Sequence, residues 1–248
     1  MKENYKYFLK DSIRKTIDFS TTEQNRGVEP PPIQKPCPPG SRTIALVRPG
    51  QWKSIKGVPI EEAIAKRQSR RVYTSEGITL DELSFLLWAT QGLRNQNFKG
   101  DNFRTVPSAG CRHALETYIA AFRVGGISKA IYRYLPVRHE LVEFVKHDAL
   151  EELISRAAFD QSFAGKSAAT FIWTTIPARM EWRYSLASYK VIALEAGHVC
   201  QNLYLACEAI GAGTCAIAAY DQELADSILG VDGVEEFTIY MAPVGKIR

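Results

Sequence analysis

The sequence contains none of the cysteine and histidine spacings that are typical of zinc sites or disulfide frameworks. Its five cysteines form no C-x-x-C pair, and its four histidines form no H-E-x-x-H motif. We therefore expect no metal site. An odd number of cysteines in a chain of 248 residues predicts reduced thiols. Cys200 and Cys207 lie on one predicted helix, and we interpret them as small buried packing residues.

Long apolar runs and a strong excess of one charge are also absent. No stretch reaches the ~18–20 apolar residues that a membrane-spanning helix needs. The N-terminal residues MKENYKYFLKDSIRKT carry charges throughout, unlike a signal peptide. The net charge of +4 is too small to indicate a nucleic-acid-binding protein without a concentrated basic face. We therefore expect a cytoplasmic protein that has neither a membrane nor a nucleic acid as partner.

The first quarter of the chain has few helix or strand signals. Residues 20–59 are rich in proline and glycine, with the runs Pro30-Pro31-Pro32 and Pro36-Cys37-Pro38-Pro39-Gly40. Proline has no backbone N–H and clashes inside a helix, so this segment suits neither an interior helix nor a central strand. We predict an extended N-terminal arm over residues 1–58, lying on the surface or on a partner chain, and a folded domain over residues 59–248.

Helix signals begin at Pro59. A proline followed by two acidic residues predicts a helix over residues 59–68. Thr79 suits the N-cap of a second helix over residues 80–91, and Gly92 lies just past its end. Apolar residues make up 46% of the whole chain, which is enough for a substantial core.

Strand signals alternate with further helices after residue 110. Residues 115–124 and 130–135 are predicted to form an antiparallel hairpin that turns at Gly125-Gly126. Further helices are predicted over residues 147–159, 185–210 and 221–230, and further strands over residues 167–176, 214–220 and 235–245. This order predicts an α+β fold in which helices cover a mixed sheet.

Three arginines and a serine occur together in Arg67-Gln68-Ser69-Arg70-Arg71. Guanidinium groups present planar forks of donors that match phosphate oxygens, and a serine hydroxyl adds another donor. The segment is therefore a candidate site for one phosphate monoester. The alternative is a solvated basic helix end, which also suits the helix dipole.

Two other short segments are candidates for ligand contact. Pro107-Ser108-Ala109-Gly110 combines a rigid proline with small residues, which would let a flat group approach the backbone closely. The alternative is an ordinary turn before a strand. Lys246 and Arg248 place two cations after the last predicted strand, where the alternative is a frayed charged end.

A glycine-rich segment, Gly211-Ala212-Gly213-Thr214-Cys215-Ala216, matches the spacing of the dinucleotide fingerprint G-x-G-x-x-A. That fingerprint follows a strand and opens a helix. Here the segment follows the long predicted helix and opens a predicted strand. We therefore reject a Rossmann interpretation and interpret Gly211 as the cap of the long helix.

Four segments resemble the nitroreductase family, and they occur in the order that the family shows. The resemblance is most specific to the SagB/ThcOx-like branch, the azoline-dehydrogenase-type nitroreductases, and it runs from about Pro59 to the end. The segments that carry it are RQSRRVY at 67–73, LSFLLWATQG at 83–92, RTVPSAG at 104–110 and EAGHVCQNLYL at 195–205.

The resemblance implies a three-layer α+β fold and a homodimer with exchanged segments that binds FMN at its interface. The residues implied to hold the phosphate and ribityl chain are Arg67, Ser69 and Arg71, with Gln68 near the flavin edge and Lys246 or Arg248 as a further phosphate contact. Two more segments are implied beside the isoalloxazine ring. The other subunit would supply Pro107, Ser108 and Ala109. Ile217, Ala218 and Ala219 would also run beside the ring, with a backbone N–H facing flavin N5.

The chain departs from the azoline-dehydrogenase branch at one pair of residues. A Lys-Tyr pair is expected just upstream of the long helix, whereas this sequence has Arg183-Tyr184. Lysine can lose its proton and act as a base, but arginine effectively cannot. We expect the pair on a loop, with Tyr184 assisting proton transfer and Arg183 favouring its phenolate. The alternative is that Trp182 and Tyr184 merely wall the flavin pocket.

The sequence thus predicts an FMN-dependent oxidoreductase that transfers a hydride between flavin and a small-molecule or peptide-derived substrate. NAD(P)H is the candidate electron donor, and hydride transfer itself belongs to the flavin. Two alternatives are an enzyme that remodels flavin itself and a non-catalytic flavin- or peptide-binding module of a biosynthetic cluster. In the second alternative the proline-rich arm would be the docking element.

Overall fold

A seven-stranded antiparallel sheet forms the centre of the computed structural model, which describes residues 2–94 and 103–248. The strands run in the order β1-β4-β3-β2-β5-β7-β6, and every neighbouring pair is antiparallel. They are β1 Thr43–Ala45, β2 Leu115–Ala121, β3 Ala130–Leu135, β4 Glu140–Val145, β5 Ala169–Thr175, β6 Ala212–Thr214 and β7 Phe237–Lys246.

Eight α-helices are found in the described residues, together with short 3-10 turns. They are α1 Lys2–Leu9, α2 Ile60–Lys66, α3 Leu80–Gln91, α4 Leu150–Ala157, α5 Phe163–Lys166, α6 Ala178–Tyr184, α7 Ser188–Glu208 and α8 Gln222–Leu229. In that part of the chain, no helix has both the length and the apolar character that crossing a membrane requires.

Helices cover both faces of the sheet. One face packs on α3 and α7 in a core that includes Leu83 and Val199. The other face packs on α4 and α8 in a second core that includes Ile154. Phe171 and Ile172, neighbours on β5, belong to opposite cores because side chains alternate along a strand. The predicted three-layer α+β architecture is therefore confirmed.

Local sequence signals place several elements correctly. The hairpin of β2 and β3 forms as predicted, with Tyr118 paired to Arg133 and Ala121 paired to Ala130. Thr79 is the N-cap of α3: its hydroxyl accepts from the Glu82 N–H at 3.1 Å, and the Glu82 carboxylate accepts from the Thr79 N–H at 2.9 Å. These two bonds form a capping box, which satisfies donors that a helix start otherwise leaves unpaired.

Two local predictions are wrong, each for a physical reason. The strand predicted over residues 214–220 does not form: β6 ends at Thr214, and the Ala216 N–H then donates to the Tyr204 hydroxyl instead of to a neighbouring strand. Further along, Ile217 pairs with Met241 in an isolated bridge. The loop predicted for Arg183 and Tyr184 is instead the end of α6, which starts directly after Pro177, and proline favours a first helical turn.

The proline-rich segment packs on its own chain through its backbone carbonyls. Guanidinium groups donate to the carbonyls of Pro31 and Ile33 at 2.7 Å each, and the Trp182 indole N–H donates to the Val28 carbonyl at 2.8 Å. Further along, β1 adds an edge strand beside β4. Prolines offer carbonyl acceptors but no N–H, so side-chain donors replace the ladder hydrogen bonds that a strand would make.

Candidate functional site

The arginine-rich segment that follows α2 lies flat against the edge of the sheet. The Arg70 N–H donates to the Thr214 carbonyl at 2.9 Å. Two glycines make this close packing sterically feasible. A Cβ on Gly213 would lie 2.5 Å from Arg70 Cγ, and a Cβ on Gly245 would lie 2.6 Å from Tyr73 Cγ. Gly213 therefore serves side-chain packing, not the dinucleotide contact that its motif resembles.

A cavity of about 680 Å³, which we call the arginine pocket, is lined by residues 68–75 together with Ile247 and Arg248. It brings Gln68, Ser69 and Arg71 together with Arg248, the last residue of the sequence. Within the described residues, no carboxylate lies within 4.0 Å of a guanidinium group of this segment or tail. The pocket therefore keeps an unneutralised positive charge, which suits an anionic group.

Two of the expected phosphate ligands, Arg67 and Lys246, are not among the residues that line the pocket. The Arg67 guanidinium carbon lies 5.3 Å from the ring centre of Tyr204. The Lys246 ammonium is bonded to the Glu82 carboxylate at 2.5 Å and to the Ile210 carbonyl at 2.6 Å, and both charged side chains are largely buried. The structure thus engages Lys246 in an internal ion pair, and Arg248 is the tail cation that lines the pocket.

The strip of residues 216–219 exposes free backbone donors. Ile217 is buried, and it exchanges both of its backbone hydrogen bonds with Met241, at 2.8 and 3.1 Å. Ala218 and Ala219 are exposed, and their N–H groups have no partner in the described part of the chain. Of the three residues implied to run beside a flavin ring, these two alanines retain an N–H that can bond a ligand.

Tyr204 connects this strip to the arginine-rich segment, and the sequence analysis assigned it no role. Its hydroxyl accepts from the Ala216 N–H at 2.8 Å and lies 2.9 Å from Ser69 Oγ. Tyr204 occurs within the EAGHVCQNLYL segment, but neither helix periodicity nor residue type indicates such a bridge. Only the fold brings α7, β6 and the segment after α2 to one place.

A second cluster of polar residues surrounds the turn of residues 107–113. The Ser108 hydroxyl donates to Glu195 Oε2 at 2.6 Å and accepts from the His113 N–H at 2.8 Å. Gly110 has a φ of +58°, and a Cβ there would lie 2.7 Å from Arg183 Cδ and 2.8 Å from the Tyr184 hydroxyl. The turn therefore lies directly against the two residues predicted to be catalytic.

The carboxyl of Glu195 is a titratable group at the centre of this second cluster. Its side chain is buried, and burial raises its pKa from 4.5 to about 7, although the Ser108 hydrogen bond and the nearby charge of Arg104 both lower it. A carboxyl that is half protonated near neutral pH is uncommon and is typical of functional sites. Glu195 begins the EAGHVCQNLYL segment that resembles the family, but its position in the sequence does not indicate a titratable role.

The two clusters lie at different heights along α7. Glu195 contacts the turn of residues 107–113, and Tyr204 contacts the arginine-rich segment, so a rise of 1.5 Å per residue separates them by about 13 Å along the helix axis. No residue of the turn lines the arginine pocket.

Among the described residues there is also no group of three or more His, Cys, Asp or Glu side chains that could hold a metal ion.

Comparison with known proteins identifies the family. The model of the nitroreductase family matches residues 64–246, and this chain belongs to that family of oxidoreductases. A protein of Methanocaldococcus jannaschii described as a nitroreductase is 32% identical over 197 residues, covering 79% of this chain and 95% of that one. The family expected from four short segments is therefore confirmed.

Other similarities are more distant. The trifolitoxin-processing protein of Rhizobium leguminosarum bv. trifolii is 28% identical over 166 residues, which cover 62% of this chain and 44% of that protein. A Ralstonia eutropha structure described as a nitroreductase superposes with a TM-score of 0.71 at 23% identity, covering 89% and 99% of the two chains. A chain of the E. coli microcin synthetase complex has a TM-score of 0.62 at 17% identity, covering 83% and 78%. These structures support the fold.

Proposed function

We propose that this protein is an FMN-dependent oxidoreductase. The observation that carries the proposal is the arginine pocket, which gathers Arg71, Ser69 and Arg248 without an ion-paired side-chain carboxylate. Tyr204 joins Ser69 of this pocket to Ala216, and the free N–H groups of Ala218 and Ala219 follow shortly after in the chain. A cationic pocket fits the phosphate of a mononucleotide, and free backbone donors fit the acceptor atoms of a flavin ring.

The residues of this chain would divide the binding between two ends of the cofactor. Arg71, Arg248 and the Ser69 hydroxyl would hold the phosphate through charge-assisted hydrogen bonds. Ile217, Ala218 and Ala219 of the strip of residues 216–219 would lie beside the ring. The buried pair of Ile217 and Met241 fixes the backbone of this strip. When bound, FMN supplies two-electron hydride chemistry, while the protein binds it, orients it and adjusts its electronics.

We propose further that the working molecule is a homodimer with exchanged segments. In one chain the turn of residues 107–113 and the arginine pocket belong to different clusters, so a partner subunit is the source that would bring Pro107, Ser108 and Ala109 to the ring. The exposed face of α7 carries Gly197, whose missing Cβ would meet nothing within 4 Å. Glycine in a helix interior costs about 1 kcal/mol relative to alanine, which a close helix contact with a second copy would justify.

We propose that the second cluster, around the turn of residues 107–113, acts on a peptide-derived or small-molecule substrate. One relative carries the name of a trifolitoxin-processing protein, and we take that name as support for the SagB/ThcOx-like branch. Tyr184 and Arg183 lie against Gly110 of the turn that we propose contacts the flavin. We propose that the Tyr184 hydroxyl moves a proton at the substrate, and that NAD(P)H is the electron donor.

The test is to purify the protein, denature it and identify any released flavin, then to reconstitute it and add NADH or NADPH without oxygen. We expect release or uptake of FMN, and bleaching of its visible absorbance by one of the two donors. Protein that neither retains nor binds FMN would contradict the proposal. Bound FMN that no nicotinamide reduces would leave a flavin-binding module, and turnover of reduced FMN without an added acceptor would indicate a flavin-remodelling enzyme.

A further inference from the structure

Tyr204 lies between the two segments that we propose hold the cofactor, and it contacts both. The Ala216 N–H donates to the Tyr204 hydroxyl at 2.8 Å, and Ser69 Oγ lies 2.9 Å from that hydroxyl. The guanidinium of Arg67 lies over the face of the same ring, at 5.3 Å from its centre. One half-buried side chain of α7 therefore joins the arginine-rich segment to the strip of residues 216–219.

The Tyr204 and Ser69 hydroxyls can act in series. The Tyr204 oxygen accepts the Ala216 N–H and carries one proton of its own, which it can donate to Ser69 Oγ at 2.9 Å. In that arrangement the Ser69 proton is free for an acceptor atom of a bound ligand. Ser69 lines the arginine pocket, and hydrogen bonds arranged in series polarise and strengthen one another.

We propose that Tyr204 is a positioning residue for FMN, which acts by fixing the spacing between the phosphate-binding and ring-binding segments. The inference rests on the proposed function and extends it to a residue with no direct contact with the cofactor. Tyr204 orients the Ser69 hydroxyl for a phosphate oxygen and anchors the strip that leads into Ala218 and Ala219. Binding at the phosphate end and the environment of the ring are therefore coupled through one phenol group.

The test compares Tyr204→Phe with wild type and with Tyr132→Phe. The first variant keeps the ring under Arg67 and removes the hydroxyl. Tyr132 is a matched control because its hydroxyl also makes two hydrogen bonds, both to Ser128, at 2.9 and 3.0 Å, on the same face of the sheet. Dissociation constants for FMN and for riboflavin, which lacks the phosphate, and the midpoint potential of the bound flavin are measured for all three proteins.

We expect Tyr204→Phe to weaken FMN binding roughly tenfold, because Ser69 Oγ and the strip of residues 216–219 both lose the hydroxyl that orients them. Riboflavin binding should weaken less, so the preference for FMN over riboflavin falls. The midpoint potential should shift, because the strip beside the ring loses its anchor. Tyr132→Phe should keep all three values of wild type, although its stability falls.

A second variant keeps the proposal testable if Tyr204→Phe folds poorly. Ser69→Ala removes the last donor in this series of hydrogen bonds, at an exposed position. We expect it to reduce the preference for FMN over riboflavin. In the double variant the effects of Tyr204→Phe and Ser69→Ala on the FMN preference should not add, because each substitution breaks the same series of hydrogen bonds. Additive effects, or a Tyr204→Phe protein with the FMN preference and potential of wild type, would overturn the inference. Wild-type protein without FMN affinity would instead defeat the proposed function.

Discussion

The Ser108 hydroxyl donates to the Glu195 carboxyl at 2.6 Å and so ties the turn of residues 107–113 to the first half of α7. Burial raises the pKa of Glu195 to about 7, and the carboxyl therefore changes charge near neutral pH. A titratable group is thus hydrogen-bonded to Ser108, a residue of the turn that we propose contacts the flavin of the partner subunit. Both folding and flavin chemistry are expected to respond to its protonation.

Glu195→Gln should remove one pH dependence of stability. The pKa of Glu195 is 4.5 in the unfolded chain and about 7 in the folded one, so the folded state keeps a proton that the unfolded state loses. The stability from this group is complete below pH 4.5 and is lost as pH rises to about 7, by up to about 3 kcal/mol. Urea unfolding across this window should show the free energy of wild type falling relative to Glu195→Gln.

The control for that experiment is Glu235→Gln, which replaces an exposed carboxyl on a loop. It should leave the pH dependence of the free energy of unfolding as in wild type. A difference between wild type and Glu195→Gln that stays constant across the window would show that the buried carboxyl does not titrate there.

The two cations of the C-terminal tail should behave differently when replaced. Arg248 lines the arginine pocket, so Arg248→Ala should weaken FMN binding about tenfold or more while the melting temperature stays near that of wild type. Lys246→Met should lower the melting temperature by about 5 °C or more, because it leaves the buried Glu82 carboxylate without its cation. Fluorescence titration and thermal unfolding measure the two quantities. If Lys246→Met instead loses FMN affinity without loss of stability, the phosphate role implied for it by the family resemblance stands.

Sequence information was sufficient where one short segment determines the outcome. The N-cap role of Thr79 and the hairpin of β2 and β3 depend on residues close together in the chain, and both could be predicted. Long-range pairing could not be predicted in the same way. The ion pair of Lys246 with Glu82 and the bridge of Tyr204 to Ser69 join residues more than 100 positions apart, and no local pattern encodes either one.

The strand predicted over residues 214–220 illustrates the same limit. Its apolar residues suit a strand, but a strand also needs backbone groups that pair with a neighbouring strand. The Ala216 N–H donates to the Tyr204 hydroxyl instead, so the strand is interrupted after Thr214 and only Ile217 pairs with β7 again. The resulting irregular strip exposes the N–H groups of Ala218 and Ala219, so the failed prediction falls at the candidate site itself.

Gly197→Leu should dissociate the proposed dimer. Gly197 is exposed in the middle of α7, and a leucine there would stand between the two copies of α7 in the proposed dimer. We expect light scattering at micromolar concentration to give the mass of one chain for this variant and of two for wild type. Circular dichroism should show an unchanged fold. Glu223→Leu, an equally exposed position on α8, should remain dimeric, and a stable Gly197→Leu dimer would contradict the proposed interface.

Tyr184→Phe should separate proton transfer from packing in the second cluster. The Tyr184 hydroxyl lies against Gly110, and the Arg183 guanidinium carbon is 5.7 Å from the Tyr184 ring centre. If the hydroxyl moves a proton at the substrate, turnover should fall by roughly 10²–10⁴-fold with FMN content unchanged. Removing the hydroxyl keeps the ring, so a residue that only walls the pocket should leave turnover within about threefold.

Two further variants complete this experiment. Tyr189→Phe is the matched control, because Tyr189 is an exposed tyrosine at the second position of α7, and its hydroxyl bonds Glu181. It should keep wild-type turnover.

Arg183→Lys restores the Lys-Tyr pair expected of azoline dehydrogenases, and lysine can act as a base where arginine cannot. A gain of azoline oxidation in Arg183→Lys, measured with an azoline-containing peptide, would show that this one residue separates the protein from that activity. Without such a gain, the arginine at position 183 is not what separates the protein from azoline oxidation.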